Sequence, residues 1–395
     1  MKTAGFPLLE QGNAGQGGEP FIYLDSASTT PKPRPVIEAV IRYYERLGAN
    51  IHRGLHPLAE ASTEAFERAR HKVASFIGAH PSEIIFTHNA TDSLNLLSQM
   101  LRLQPGDEVV FPASEHHSNY LPWRIHSTPV LIDLDDEAVP LWSQLPGRLT
   151  PRTRLVAVAH ASNVTGVLAP IEEWTRIAHQ AGTPILIDAS QSVSHLPIDV
   201  RALDCDFLAF SSHKMFGPNG VGVLYVRRDR YPQLGLGNVG GGMVSFNREE
   251  GFEPREPPFR YEAGTPNAEG VIGLGAAVEF LQAQGMNNVL VHTQALARQL
   301  MEGLRDLKGA LVLGSRERAR IPLATVSLPL PSMRQIDLAR LLADSNGIYV
   351  SGGFHCAHVL HHRLHLEGTL RASAHLYNDA ADIDSLLRAL HDLAG

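Results

Sequence analysis

The chain has 395 residues, 44% of them apolar and 19% charged, a balance that excludes disorder as the main state. Its 34 basic and 41 acidic residues leave a net charge of −7 with no long basic run, so nucleic acid is not an expected partner. No stretch approaches the roughly 18 apolar residues of a membrane span, no secretory leader is visible, and two cysteines, Cys205 and Cys356, suit a reducing, cytoplasmic setting.

Residues 10–19 are Gly-rich and polar and predict a mobile segment within an N-terminal arm over 1–19. Residues 58–77 place Leu58, Ser62, Ala65, Ala69, Val73 and Phe76 on one face, the period of a long amphipathic helix. Strand-like runs follow at Glu83–Thr87, Glu108–Pro112, Val130–Asp133, Leu155–Ala159, Pro184–Asp188, Phe207–Ser211 and Gly222–Val226. Helical stretches such as Ile171–Gln180 separate several of them, which predicts an α/β fold with a mostly parallel sheet. Residues 234–266 are dense in Gly and Pro and read as long loops. Helices are then expected from about Gly270 to Gln284 and from Val289 to Leu307. Strands are expected at Ala324–Leu328, Ile348–Ser351 and Leu370–Ala374, and a last helix near Ala381–Leu393. The pattern divides into a large α/β domain over 20–281 and a smaller α+β domain over 282–395.

In open α/β sheets ligands bind beyond the carboxyl ends of the strands. Three such ends carry polar groups here: Asp188 with Gln191, then Ser211, His213 and Lys214, and Thr87 leading to Ala90 and Thr91 at a helix start. A carboxylate can keep a pyridine nitrogen protonated, and a lysine amine can form an imine with an aldehyde. Backbone N–H groups at the Thr91 helix start suit a phosphate. Taken singly, each has a plainer reading: Asp188 as a helix cap, Lys214 as a solvated loop lysine.

The ordered segments NIHRGLHPLAEAST, SEHHSNYLPW, HASNVTG, IDASQSV, LDCDFLAFSSHKMFGPNGVGVLYV and YEAGTPN resemble the class V aminotransferase family. Those enzymes use pyridoxal phosphate on fold type I. Within that family the chain is similar to cysteine desulfurases and selenocysteine lyases of the SufS type, from YLDSAST at 23–29 to RASAHLYN at 371–378. The resemblance implies that Lys214 carries the cofactor as an imine, Asp188 pairs with the pyridine nitrogen, and Gln191 approaches the phenolic oxygen. It implies that His116 stacks on the ring and that Asn163 lies near the phenolic oxygen and the substrate. Ala90, Thr91, Ser211 and His213 would hold the phosphate, with Thr265 reaching across from the second subunit of a homodimer. Arg371 would bind the substrate carboxylate, as a guanidinium fork suits. Cys356 falls where the family places its nucleophile, with a sulfur-acceptor protein or small thiol taking the sulfur on. Cys205, just before an apolar strand, reads as packing.

The Cys356 loop departs from its relatives. The usual Arg-x-Gly-x-His-Cys-Ala reads here Ser351-Gly352-Gly353-Phe354-His355-Cys356-Ala357, so Ser351 replaces an arginine and Phe354 a polar position. His355 and His358 would lower the thiol pKa if charged or hydrogen-bonded nearby. If 358–365 is helical, His358, His361, His362 and His365 share a face; no familiar ligand spacing is completed, and no metal is expected. The expected reaction turns L-cysteine, or a selenium analogue, into L-alanine with a persulfide on Cys356. The alternatives are a C–S β-lyase releasing pyruvate without the cysteine, and a catalytically reduced scaffold that binds partners.

Overall fold

The computed structural model describes residues 5–12, 18–314, 318–328, 330 and 333–394. A two-residue strand, Ile22–Tyr23 (β1), precedes a seven-stranded sheet. Its members are Ile84–Thr87 (β2), Glu108–Pro112 (β3), Thr128–Ile132 (β4), Thr153–Ala159 (β5), Ile185–Asp188 (β6), Phe207–Ser211 (β7) and Gly222–Val226 (β8). The spatial order is β2-β8-β7-β6-β5-β3-β4. All neighbours are parallel except β8, which runs antiparallel to both β7 and β2. The mostly parallel α/β sheet expected from the sequence is therefore present.

Side-chain alternation explains why the central strands are apolar throughout. Leu208, Phe210, Ile185 and Ile187 enter one core with Phe66, Val73 and Leu274. Their neighbours Phe207, Ala209 and Leu186 enter a second core with Leu94, Leu97 and Trp123. A strand covered by helices on both faces has no solvent side to make polar. Helix Pro57–Phe76 packs against helix Ala268–Gln284 on the first face, and helix Ala90–Met100 lies on the other.

A hairpin of Val244–Arg248 (β9) and Gly251–Pro254 (β10) then projects from the domain. The C-terminal part holds Leu311–Val312 (β11), Leu323–Ser327 (β12), Ile348–Tyr349 (β13), Ser351–Gly353 (β14) and Thr369–Ser373 (β15). Strands β11, β12, β15 and β14 form an antiparallel sheet in that order, and β13 pairs in parallel with β1. Helices Met286–Arg305, Gln335–Asn346 and Ala380–Ala394 accompany this sheet. Leu300, Leu338, Leu342, Leu370 and Leu386 form its core, and Leu24 joins them from the N-terminal side.

Two sequence expectations change, and the start of the chain is held in place. The N-terminal arm is anchored over its described part: Phe6 is buried against Phe216, Phe280 and Tyr377, and Arg34 N donates to Gly5 O at 2.7 Å. Residues 1–4 and 13–17 of that arm lie outside the described residues. The stretch 234–266 is not loop throughout. The β9–β10 hairpin there is held by backbone pairing while most of its side chains are exposed, so no burial alternation marks it. The run 348–351 is two short strands serving two sheets, β13 beside β1 and β14 beside β15.

Between the two parts lie stacked, buried rings: His195 and His375, with centroids 4.0 Å apart. Burial drives His195 from 6.5 down to about 3 and lowers His375 well below its ordinary value. Both are neutral in the native state, whereas the unfolded chain protonates them near 6.5. Their contribution is complete above that pH and is lost as pH falls toward about 3. The urea midpoint is therefore expected to be lower at about pH 5 than at about pH 7.5, with His195→Gln narrowing the difference. An equal gap in that variant would contradict this assignment.

Candidate active site

The carboxyl ends of β5, β6 and β7 lie side by side, with Ala159 opposite Asp188 and Asp188 opposite Ala209. Beyond them opens a cavity of about 720 Å³. It brings together Ala90, Thr91, His116, Asn163, Asp188, Gln191, Ser211, His213, Lys214, Cys356 and Arg371, all of them singled out from the sequence. Thr265 is not among them. It lines a separate cavity of about 460 Å³ with His52, Arg53 and Arg255, so its own chain does not deliver it to the first.

Lys214 ends a 3₁₀ turn, Ser212–Lys214, directly after the fully buried β7. Burial lowers its pKa from 10.5 to about 8, against the opposing charge of Asp188. Roughly a tenth of Lys214 is therefore neutral amine at pH 7, far more than for an ordinary lysine, and that is the form that attacks a carbonyl. The tight turn depends on Gly217, where a Cβ would lie 2.1 Å from Ser212 Oγ. Asp188 is 7% exposed, and its Oδ1 accepts from Ser190 N at 2.9 Å. Gln191 Nε2 donates to Ala27 O at 2.9 Å, using one of its two N–H groups.

The helix Ala90–Met100 points its first turn at the cavity, capped by Asn89 Oδ1 on Asp92 N at 2.9 Å. Ala90 N donates to Ser211 Oγ at 2.8 Å, and Thr91 and Ser118 hydroxyls meet at 2.6 Å. Gly222 permits this approach, since a Cβ there would sit 2.4 Å from Asn89 C. His213 is driven to about 4 by burial, then by Lys214 and Lys32, and His116 to about 3 by burial and Lys214. Both rings are neutral at neutral pH. His116 Nδ1 accepts from Ser118 N at 3.1 Å, which leaves the ring's proton on Nε2.

Arg371 lies on β15 and is 4% exposed. Its Nη1 donates to Asn163 O at 3.0 Å, and its Nη2 to Ser28 Oγ at 2.8 Å and Asp25 Oδ1 at 3.3 Å. Its Nε is buried without a partner among the described residues. Across the sheet, Ser351 is its register partner, so the position that holds an arginine in the related loops faces Arg371 directly.

Cys356 is exposed at the cavity mouth, while Cys205 is fully buried. Burial pushes the Cys205 thiol far above its ordinary value, which suits the packing role expected of it. His355 and Cys356 adopt left-handed φ of 49° and 55°, a conformation costing roughly 1–2 kcal/mol per non-glycine residue. Contacts from the segments after β5 and β3 hold the loop: Asn163 Nδ2 donates to His355 O and His117 N to Cys356 O, each at 2.8 Å. His355 is driven to about 2, by burial first and Arg371 second, so it stays neutral and gives the thiol no positive charge. The shared histidine face does not form either. The helix spans only His358–Arg363, His361 is buried on Ala357 O and Thr369 Oγ1, and His358 turns to His117.

Sequence reasoning assigned no role to Asp25, Ser28, Lys32 or Glu115. The first two stand in the YLDSAST segment and brace Arg371; an acid between apolar and small residues was the available signal. Lys32 Nζ donates to His213 O at 2.9 Å. Glu115 is buried, with Oε1 accepting from Ala159 N and Oε2 from Asn119 Nδ2, and burial pushes it up to about 8. It ties the His116 loop to the end of β5.

A two-part α/β chain with a lysine, a carboxylate and a helix N-terminus at its strand ends defines a class of cofactor-using folds. The family profile for aminotransferase class-V matches residues 22–386, and the chain belongs to that family. It is 39% identical to a probable cysteine desulfurase of Halalkalibacterium halodurans, over 98% of this chain and 95% of the relative. The apo cysteine desulfurase of Thermococcus onnurineus superposes with a TM-score of 0.90 at 36% identity, covering 95% and 94% of the two chains. The Escherichia coli cysteine desulfurase CsdA, in an S-sulfonic acid form, gives 0.87 at 35% identity over 98% and 97%.

Proposed function

We propose that this chain is a pyridoxal-phosphate-dependent cysteine desulfurase that converts L-cysteine, or a selenium analogue, to L-alanine with a persulfide on Cys356. The observation that carries the reading is the shared cavity: Lys214, Asp188, Arg371 and Cys356 all line it. Two buried polar atoms on its lining residues, Ser190 Oγ and Arg371 Nε, have no partner among the described residues, which fits a polar occupant. The donor set fits pyridoxal phosphate: an amine for its aldehyde, a buried carboxylate for its ring nitrogen, and a helix start for its phosphate. When bound, that group supplies an electrophilic carbon and a ring that takes up electrons freed at the substrate's Cα.

The protein's own groups do the rest. Arg371 holds the substrate carboxylate through hydrogen bonds from its guanidinium. Lys214 takes the Cα proton, and Asp188 keeps the pyridine nitrogen protonated. Ala90, Thr91, Ser211 and His213 hold the phosphate, with Thr265 entering from the partner of a homodimer. The Cys356 thiolate attacks the substrate sulfur. An S–S bond forms as the C–S bond breaks, and the carbon takes a proton to give alanine. Thiol plus cysteine becomes persulfide plus alanine, so no external oxidant or reductant enters. An acceptor thiol then attacks the exposed persulfide.

Arg371→Ala should leave cofactor binding intact and raise the cysteine concentration needed for half-maximal rate. Removing a charged hydrogen-bond partner costs about 1.5–3 kcal/mol, roughly ten- to hundredfold. An unchanged KM would remove Arg371 from the site. Ser351→Arg restores a guanidinium opposite Arg371 and is expected to increase alanine formation at subsaturating cysteine; a fall would mean that the loop does not close over cysteine as in its relatives. The β-lyase reading needs no attack by Cys356 and predicts pyruvate in place of alanine. Alanine, pyruvate and sulfide measured together from L-cysteine separate the two.

A further inference from the structure

Three rings run in a stack across the gap between the two parts of the molecule. Phe354 stacks on His358 at 4.4 Å and 19°, and His358 stacks on His117 at 4.9 Å and 23°. Phe354 and His358 flank Cys356 on the small-domain loop, whereas His117 belongs to the loop of the large domain that carries His116. His117 Nε2 accepts from His358 N at 3.4 Å and lies 3.2 Å from His358 Nδ1. The His117 backbone N–H donates to Cys356 O at 2.8 Å. A second edge contact, Phe354 against the buried His361 at 5.4 Å, ties the outer ring to its own domain.

We infer that Phe354, His358 and His117 form a clamp that fixes the Cys356 loop over the cavity, with Phe354 and His358 acting as positioning residues for the thiol. The inference rests on the reading of Cys356 as the nucleophile. The loop needs such support because two consecutive non-glycine residues, His355 and Cys356, sit in left-handed backbone. Asn163 secures one of them through His355 O; the ring stack and the His117 amide secure the other. Phe354 is 37% exposed, an unusual place for phenylalanine unless its face is in use. Its stacking on His358 accounts for the departure from the polar residue of related loops. Burial, and then His358, hold His117 below its ordinary pKa, which keeps the ring neutral, and the His358 N–H aimed at Nε2 places the ring's proton on Nδ1.

The test is hydrogen exchange of peptides spanning 115–120 and 352–361 in the full-length protein, alongside steady-state kinetics with L-cysteine. In Phe354→Ala and His358→Ala, exchange at the His117 and Ala357 amides should quicken roughly three- to tenfold, the factor one aromatic pair is worth. Phe354→Tyr should restore the slow rate, since it keeps the ring. The kcat for alanine should fall by a similar factor while KM stays within about twofold, because Arg371 is untouched. Unchanged exchange in both alanine variants would overturn the clamp. So would faster exchange spread evenly through 311–373, which would make the rings ordinary packing. The exchange arm is read without substrate, so pyruvate as product would overturn the desulfurase reading alone.

Discussion

Lys214→Ala is expected to abolish turnover of L-cysteine and the visible absorbance of the lysine-bound cofactor together. One side chain serves two purposes at this site: its neutral amine bonds to the aldehyde, and once released it moves the Cα proton. The proton-transfer part alone is worth about 10²–10⁴-fold, and loss of the covalent attachment adds to it. The amine is prepared for both uses by burial, which lowers it to about 8 while Asp188 pulls the other way. Lys214→Arg should fail as completely, since a guanidinium stays protonated and forms no imine under these conditions. Wild-type spectrum and rate in Lys214→Ala would remove the cofactor assignment, and with it every role given to Asp188 and His116.

Cys356→Ser is expected to reduce alanine formation to background while cofactor binding and Cα proton exchange with solvent continue. A serine hydroxyl is far less nucleophilic than a thiolate near neutral pH, and the groups that move the proton, Lys214 and Asp188, are not altered. Cys205 cannot stand in: it is fully buried, and burial holds it protonated. Cα exchange in deuterated water therefore separates loss of the nucleophile from loss of the site. If elimination were the reaction, the same variant would release pyruvate at close to the wild-type rate.

The sheet was legible because its central strands are apolar on both faces. Glu108–Pro112, Phe207–Ser211 and Gly222–Val226 match the sequence expectation residue for residue. The site was legible because polar groups follow those strands at once: Asp188 closes β6, and Lys214 comes three residues after β7. The sequence was silent where backbone pairing or long-range contact decides. The exposed β9–β10 hairpin has no buried face, and Phe6 is anchored by Phe216, Phe280 and Tyr377 from distant parts of the chain. Asp25 and Ser28 reach Arg371 across some 340 residues of separation: 346 for the first and 343 for the second. The partnership of His117 with His358, 241 residues apart, has no local signature either. His355 shows the limit of neighbour reasoning. Adjacent in sequence to the thiol, it is kept neutral by burial and by Arg371.

Incubating the cofactor-loaded protein with L-cysteine and quantifying alanine, pyruvate and enzyme-bound sulfane sulfur in one sample tests the central claim most directly. The account predicts alanine as the main product, with one sulfur per chain trapped on Cys356 when no acceptor is present, and neither in Cys356→Ser. Pyruvate as the main product, formed equally well by Cys356→Ser, would contradict it.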